Sequence, residues 1–487
     1  MILLLWAAVC FALLVVDWCC WAPNRLDADM ASEQLLANLL AQEGGVMSTN
    51  WYYSTELRVL NTQLVMAPLF RLFTSWHTVR VVGSVVLILL YLAAWFWFGR
   101  SAKLKYSGLL GAGLLVLPYG ALYRQYVLEG LYYIPHIAIS FVVLGCAVRI
   151  LRGGRRLAPA AGMVLFSFAA ALGGPRQLFI LNIPLTVAAA LLCWLDAPPA
   201  DTLRQKLANA WRTPGGALLV PTLAADAAAL AGYLVNAKVL AEKYHFQDQG
   251  YVAFTGLNLE RLQWFVNALL ASFGWQEGKV FSLAALFNLA AAALILFCFV
   301  FSVRLVRGKA RYPLGHRLVG AFFLAGAVCF ALLYGLTNSG HSDRYLLPLA
   351  ILFVPLLEIM LADCTPLHRP DACGLTALLA AILLLRAGTD YRAAAVATNP
   401  NQGAAQFLVQ NGYRDGYASF WDGNVMTELT DGTLNVWTLT PNSVPELRPW
   451  LQVTSHLQTP PQGKIFFVIS KWEAYGERQP TTQALAD

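Results

Sequence analysis

The sequence predicts an all-α polytopic membrane protein, with about eleven transmembrane helices and a small α/β domain at its carboxyl end. Three observations predict this. Apolar residues make up 58% of the 487 residues and charged residues only 13%, against about 45–50% and about 25% in soluble domains. The apolar residues fall in runs close to the roughly 20 residues that a spanning helix needs. The basic residues behind the net charge of +7 gather in short clusters between those runs, which is the pattern of cytoplasmic loops rather than a nucleic-acid footprint.

The first run, residues 2–22, has no basic flank and no A-x-A cleavage site, so it reads as a retained span. The lack of any Lys or Arg before it points to a true start further upstream. Further spans are expected near 79–98, 107–123, 132–149, 157–173, 177–195, 214–234, 281–303, 318–336, 345–361 and 373–387. The run 373–387 is short and the run 157–173 marginal. Clusters such as Arg100, Lys103 and Lys105, or Arg304, Arg307, Lys309 and Arg311, define the cytoplasmic side. The opposite side carries lone basic residues, Arg124, Arg176 and Arg344. An odd number of spans from an inside amino terminus leaves the carboxyl terminus outside.

The expected division is a transmembrane domain, 1–387, and an extracytoplasmic α/β domain, 388–487. Two large extracytoplasmic loops interrupt the first, 23–78 and 235–280. Loop 23–78 contains ASEQLLANLLAQ, whose Leu35, Leu36, Leu39 and Leu40 share a face suited to a helix lying in the membrane interface. Loop 235–280 contains LNLERLQWFVNALLASFGW, a second such run. In the tail, QGAAQFLVQNGY reads as a helix, whereas SFWDGNVMTEL, TLNVWTL and GKIFFVIS read as strands around a DG turn. Seven of the nine cysteines lie in or beside apolar runs, as buried hydrophobes do. The other two, Cys364 and Cys373, flank His368 at a spacing that fits no zinc pattern.

The stretch LDADMASE sets Asp27, Asp29 and Glu33 just after the first span. Asp27 or Asp29 suits the cap of a helix beginning near Met30, because a carboxylate satisfies free N–H groups there. The alternative is a general base at the membrane surface. In a helix Asp29 and Glu33 share a face, one serving as base while the other orients the acceptor or binds a divalent cation. The second stretch is GHSDRYLLPLA. Its Arg344, flanked by His341, Asp343 and Tyr345, is either an interfacial anchor or a phosphate ligand. Arg176 in GGPRQLF joins it on the same side. The third, YRQYVLEGLYYIPHI, offers Glu129 and His136 as accessory residues. Within the spans, Asp17, Asp226 and Glu358 are what a transporter needs, but they lie at different depths.

Together these residues resemble the GT-C superfamily of membrane glycosyltransferases, closest to the lipid A aminoarabinose transferases and protein O-mannosyltransferases. LDADMASEQLLANLLAQEGG is similar to the family's first loop, and DRYLLPL to its Arg-Tyr-x-x-Pro element. The family often has adjacent acids where this chain reads Asp27-Ala28-Asp29, so the base is Asp27 or Asp29. The resemblance implies a multi-pass cell-membrane enzyme that takes a sugar from a polyprenyl-phosphate donor and passes it to a glycan, lipid or protein acceptor. It implies Arg344, Arg176 and Tyr345 at the donor phosphate, and membrane lipids but no nucleic acid as partners. No cofactor is required by it, and a divalent cation stays open. The rival readings are a lipid or glycan transporter using Asp17, Asp226 and Glu358, and a non-catalytic protein that displays its tail.

Overall fold

The computed structural model describes residues 1–55, 57–104, 108–153, 156–246, 253–338, 342–364, 369–440 and 446–469. Among them, nine helices are long and apolar enough to cross a membrane. They are Ile2–Arg25, Trp76–Ala102, Ile134–Leu151, Leu178–Asp196, Pro214–Lys243, Leu283–Arg307, Leu314–Leu336, Asp343–Asp363 and Arg369–Val396. The fold is therefore a mostly helical polytopic membrane protein with a small α/β portion.

Two of the expected spans take other forms. Run 107–123 breaks, because a helix at Leu109–Leu115 cannot pass Pro118. Proline lacks the N–H that would continue the ladder and pushes the residue before it out of the helical region. The chain resumes at Ala121–Tyr123 and widens into a π-helix, Arg124–Glu129. Run 157–173 forms a 15-residue helix, Leu157–Ala171, short of the usual spanning length.

The chain divides into two compact units. The first comprises Met1–Leu14, Ile88–Asn236 and Gly250–Asp390. Its helices approach closely where glycine removes a side chain: a Cβ on Gly111 or Gly113 would clash with the ring of Trp95 or Trp6 respectively. The indole N–H of Trp95 instead reaches the Gly108 carbonyl at 2.7 Å, and that of Trp6 the Leu110 carbonyl at 3.1 Å. At helix ends, Arg317 grips Asp196 with two bonds of 2.9 Å, and His316 bridges Asp363 and the Ala102 carbonyl, each at 2.9 Å. The run expected in 235–280 forms the helix Leu259–Ser272.

The second unit comprises Val15–Leu87, Ala237–Gln249 and Tyr391–Asp487. We number its elements α2 (Ala28–Glu43), α3 (Gln63–Leu69) and α4 (Trp76–Ala102), after α1 (Ile2–Trp21), with α1 and α4 continuing into the first unit. Its strands are β1 (Trp51–Tyr52), β2 (Asp415–Ser419), β3 (Asn435–Leu439), β4 (Gln452–Val453) and β5 (Ile465–Val468). A parallel sheet of order β3-β2-β5 packs on a core of Ala405, Leu408, Ala418, Met426, Leu434, Val436 and Phe466. Separately, β1 pairs antiparallel with β4, Trp51 opposite Val453.

Two local expectations change. SFWDGNVMTEL is not a strand: Ser419 ends β2, and Phe420–Leu429 is a helix with Asp422 in its first turn. That helix ends at Asp431-Gly432, both left-handed, with φ of 48° and 75°. It buries Phe420 and every residue from Gly423 to Glu428, so the segment carries no one-sided pattern for the eye to find. Likewise α2 is not a surface helix with a single apolar stripe. It packs on α3 and on Phe420–Leu429, and it buries Ser32 and Gln34 as well as Leu36 and Leu40.

Candidate active site

The acids of LDADMASE lie at the amino end of α2. Asp27 is its N-cap: the backbone is extended, with φ −112° and ψ 171°, and Oδ1 accepts the Met30 N–H at 2.8 Å. Gly44 closes the far end in the left-handed region, φ 83°. Glu33, one turn in from Asp29, is held on both oxygens. Asn61 Nδ2 donates to Oε2 at 2.8 Å, the Thr62 hydroxyl to the same oxygen at 2.7 Å, and Arg58 lies 3.4 Å from Oε1. Thus Asp27 has a capping role and Glu33 anchors the following loop. Asp29 occupies the first turn, half-buried, in the electrostatic field of Arg448. Burial holds the Arg448 guanidinium below its ordinary value, and the Asp29 carboxylate works against that shift. The Arg448 guanidinium lies over Phe420 at 5.0 Å and Trp450 at 5.3 Å.

Behind these acids is an ion pair that the sequence reading missed. Arg80, one turn into α4, meets Glu428 with Nε–Oε1 of 2.5 Å and Nη2–Oε2 of 2.6 Å. The same Nη2 donates to the Met30 carbonyl at 3.0 Å, in the first turn of α2. The side chains are 7% and 6% exposed. Burial pushes the Glu428 carboxyl up from its ordinary value, and the Arg80 charge opposes this. Further bonds fix the same end of α2. Asn424 Nδ2 reaches the Ser32 hydroxyl at 2.8 Å, and Asn399 Nδ2 reaches the Pro23 and Leu26 carbonyls, each at 3.0 Å. The hint in the sequence was an arginine inside an apolar run, next to its start.

The candidate phosphate residues lie in the first unit. Arg344 and Tyr345 sit in the 3-10 turn Asp343–Leu346, which opens a span. The turn is pinned by Tyr334, whose hydroxyl donates to the Ser342 carbonyl at 3.0 Å, and by Ser272, whose hydroxyl donates to the Asp343 carbonyl at 2.9 Å. Pro348 then starts the helix Leu347–Ala350. Arg176 follows Gly174, whose φ of 114° only glycine adopts readily, and precedes the π-helix Leu178–Asn182. The guanidinium of Arg344 lies 5.1 Å from the Tyr126 ring. That of Arg176 lies 5.1 Å from Tyr345 and 5.4 Å from Tyr133. Each arginine is within electrostatic range of the other. Among the described residues, the buried Nε of Arg344 has no hydrogen-bond acceptor.

Sequence reasoning named the two arginines and Tyr345 but not Tyr126 or Tyr133, although YRQYVLEGLYYIPHI carries them. Tyr126 lies in a π-helix, a form concentrated at functional sites. Leu131, just before Tyr132 and Tyr133, is left-handed at φ 63° and fully buried, a strained conformation that its packing holds. The accessory candidates have local partners. Glu129 lies 3.4 Å from Arg124, which also meets Asp390 at 3.3 Å, and His136 Nδ1 lies 3.0 Å from Gln177 Oε1. His341 and His368 fall outside the described residues. Among the described residues, no three His, Cys, Asp or Glu side chains are grouped to hold a metal ion.

No family model and no curated protein matches the sequence. Two solved structures of the Archaeoglobus fulgidus oligosaccharyltransferase are similar to it in fold. One is a complex with zinc and sulfate; it gives a TM-score of 0.45 and 13% identity over 84% of this chain and 58% of that one. The other is tethered by a disulfide bond to an acceptor peptide containing the NVT sequon; it gives 0.43 and 11% over 84% and 59%. The chain thus spans less than two thirds of the length of those chains.

Proposed function

We propose that this protein is a membrane glycosyltransferase. It moves a sugar from a polyprenyl-phosphate donor to a glycan, lipid or protein acceptor at the outer face of the cytoplasmic membrane. The observation that carries this is the convergence of Arg344 and Arg176 on one set of tyrosines, with the Arg344 Nε left without an acceptor among the described residues. Two like charges held together in a half-buried, ring-lined setting repel, and an anion between them offsets that. A guanidinium matches phosphate geometry with two prongs, and a span mouth is the depth of a lipid phosphate. The acids of α2 supply the base. Asp29, in the first turn of α2 and in the field of Arg448, takes the proton of the acceptor in this proposal, and direct displacement inverts the anomeric centre.

The test of the donor site is Arg344. Arg344→Ala is expected to weaken donor binding by about 1.5–3 kcal/mol, one to two powers of ten, with Arg344→Lys restoring only part. Affinity for a polyprenyl-phosphate sugar, measured on folded protein in detergent, checks this. Parental affinity in the Ala variant would leave Arg344 as an interfacial anchor.

The carboxyl-terminal α/β segment faces outward in this reading. A reporter fused after Asp487 is expected to be active only if exported, and activity confined to the cytoplasm would overturn the orientation. The acids of the transporter reading each have a local partner: Asp17 has Arg25, Asp226 the Thr186 hydroxyl at 2.7 Å, and Glu358 the Gly111 N–H at 2.8 Å.

A further inference from the structure

A cavity of about 200 Å3 opens in the second unit against the buried Arg80–Glu428 pair. Leu26, the neighbour of Asp27, forms part of its wall, and His77, Gln402 and Gln406 add polar groups. Its lining holds the Arg80–Glu428 pair, in which the two charges offset each other, and the Asp431 side chain, which accepts the Trp76 N–H at 2.7 Å. The acid in excess disfavours an anionic occupant. The amides of Gln402 and Gln406 each offer both donors and an acceptor, and neither makes a side-chain hydrogen bond among the described residues. Pro23, Leu26 and Ala405 supply an apolar wall beside them. The volume lies below the roughly 300–1,000 Å3 of clefts for larger ligands.

We infer that this cavity is a binding site for a neutral, hydroxyl-rich group of the size of one sugar ring. Its hydroxyls are read by the two glutamines and the Arg80–Glu428 pair, and its C–H face lies on Leu26 and Ala405. Such a site uses charge-assisted bonds to hydroxyls without needing a charged ligand. It also explains why the pair is kept: a buried ion pair is weak evidence for stability, since apolar residues of similar size often serve as well. The inference does not depend on sugar transfer.

Saturation-transfer NMR on the full-length protein in lipid nanodiscs tests it, with glucose, N-acetylglucosamine and glycerol as probes. At least one sugar is expected to bind saturably, and glycerol more weakly. Gln406→Trp places an indole at the exposed rim and is expected to weaken that binding by about tenfold or more, as is Gln402→Ala to a smaller degree. Absence of saturable binding to the parent overturns the inference, and so does parental affinity in Gln406→Trp. Loss of donor turnover alone would bear on the transferase reading and leave this one standing.

Discussion

Asp29→Asn abolishes sugar transfer while Asp27→Asn stays near the parental rate: this is the result expected from the acid end of α2. Asn caps a helix about as well as Asp, so the bond from the Met30 N–H survives at position 27 and the helix keeps its start. At position 29 the amide cannot accept the acceptor's proton, and general-base losses run to about 10²–10⁴-fold. Melting temperatures of both variants should stay close to the parent. Glu33→Gln should lose less activity than Asp29→Asn, because Asn61 and Thr62 keep an oxygen to bond. Turnover of a polyprenyl-phosphate sugar by each purified variant, beside its melting curve, is the measurement. Loss in Asp27→Asn with parental turnover in Asp29→Asn would move the base to Asp27. Parental turnover in both would end the catalytic reading of these acids.

The largest effect on stability is expected at the Arg80–Glu428 pair. Removing one partner from a buried pair leaves a charge in a site that cannot solvate it, a loss of about 3–5 kcal/mol. Arg80→Met and Glu428→Met should each lower the melting temperature sharply, and Arg80→Met should also release the Met30 carbonyl. The double variant Arg80→Met/Glu428→Met should recover most of the loss, because two apolar side chains of similar size fill the same space without charge. A double variant no more stable than the worse single would show that the bidentate geometry itself holds α2. Additivity of the two single effects would show that the pair is not coupled.

Along the chain, the spans were legible because hydropathy is a local property: bilayer and water sort each segment by its own composition. Among the described residues, nine runs appear as helices of spanning length for that reason, and the cap at Asp27 was legible because it involves residues three apart. The break at Pro118 was equally local, and was hidden only by the apolar residues around it. The roles of the site residues were not written locally. Glu33 is assigned by partners 25 to 29 residues away, and Arg80 by one 348 residues away. The segment 420–429 misled because it is buried on nearly all sides, so neither a period of two nor of 3.6 stands out. Sequence alone determined which runs are apolar enough to span and which acids and arginines were available for chemistry. Tertiary structure decided that Glu33 anchors the following loop and that Arg80 holds Glu428, because a side chain's task follows from the partners that long-range packing brings to it.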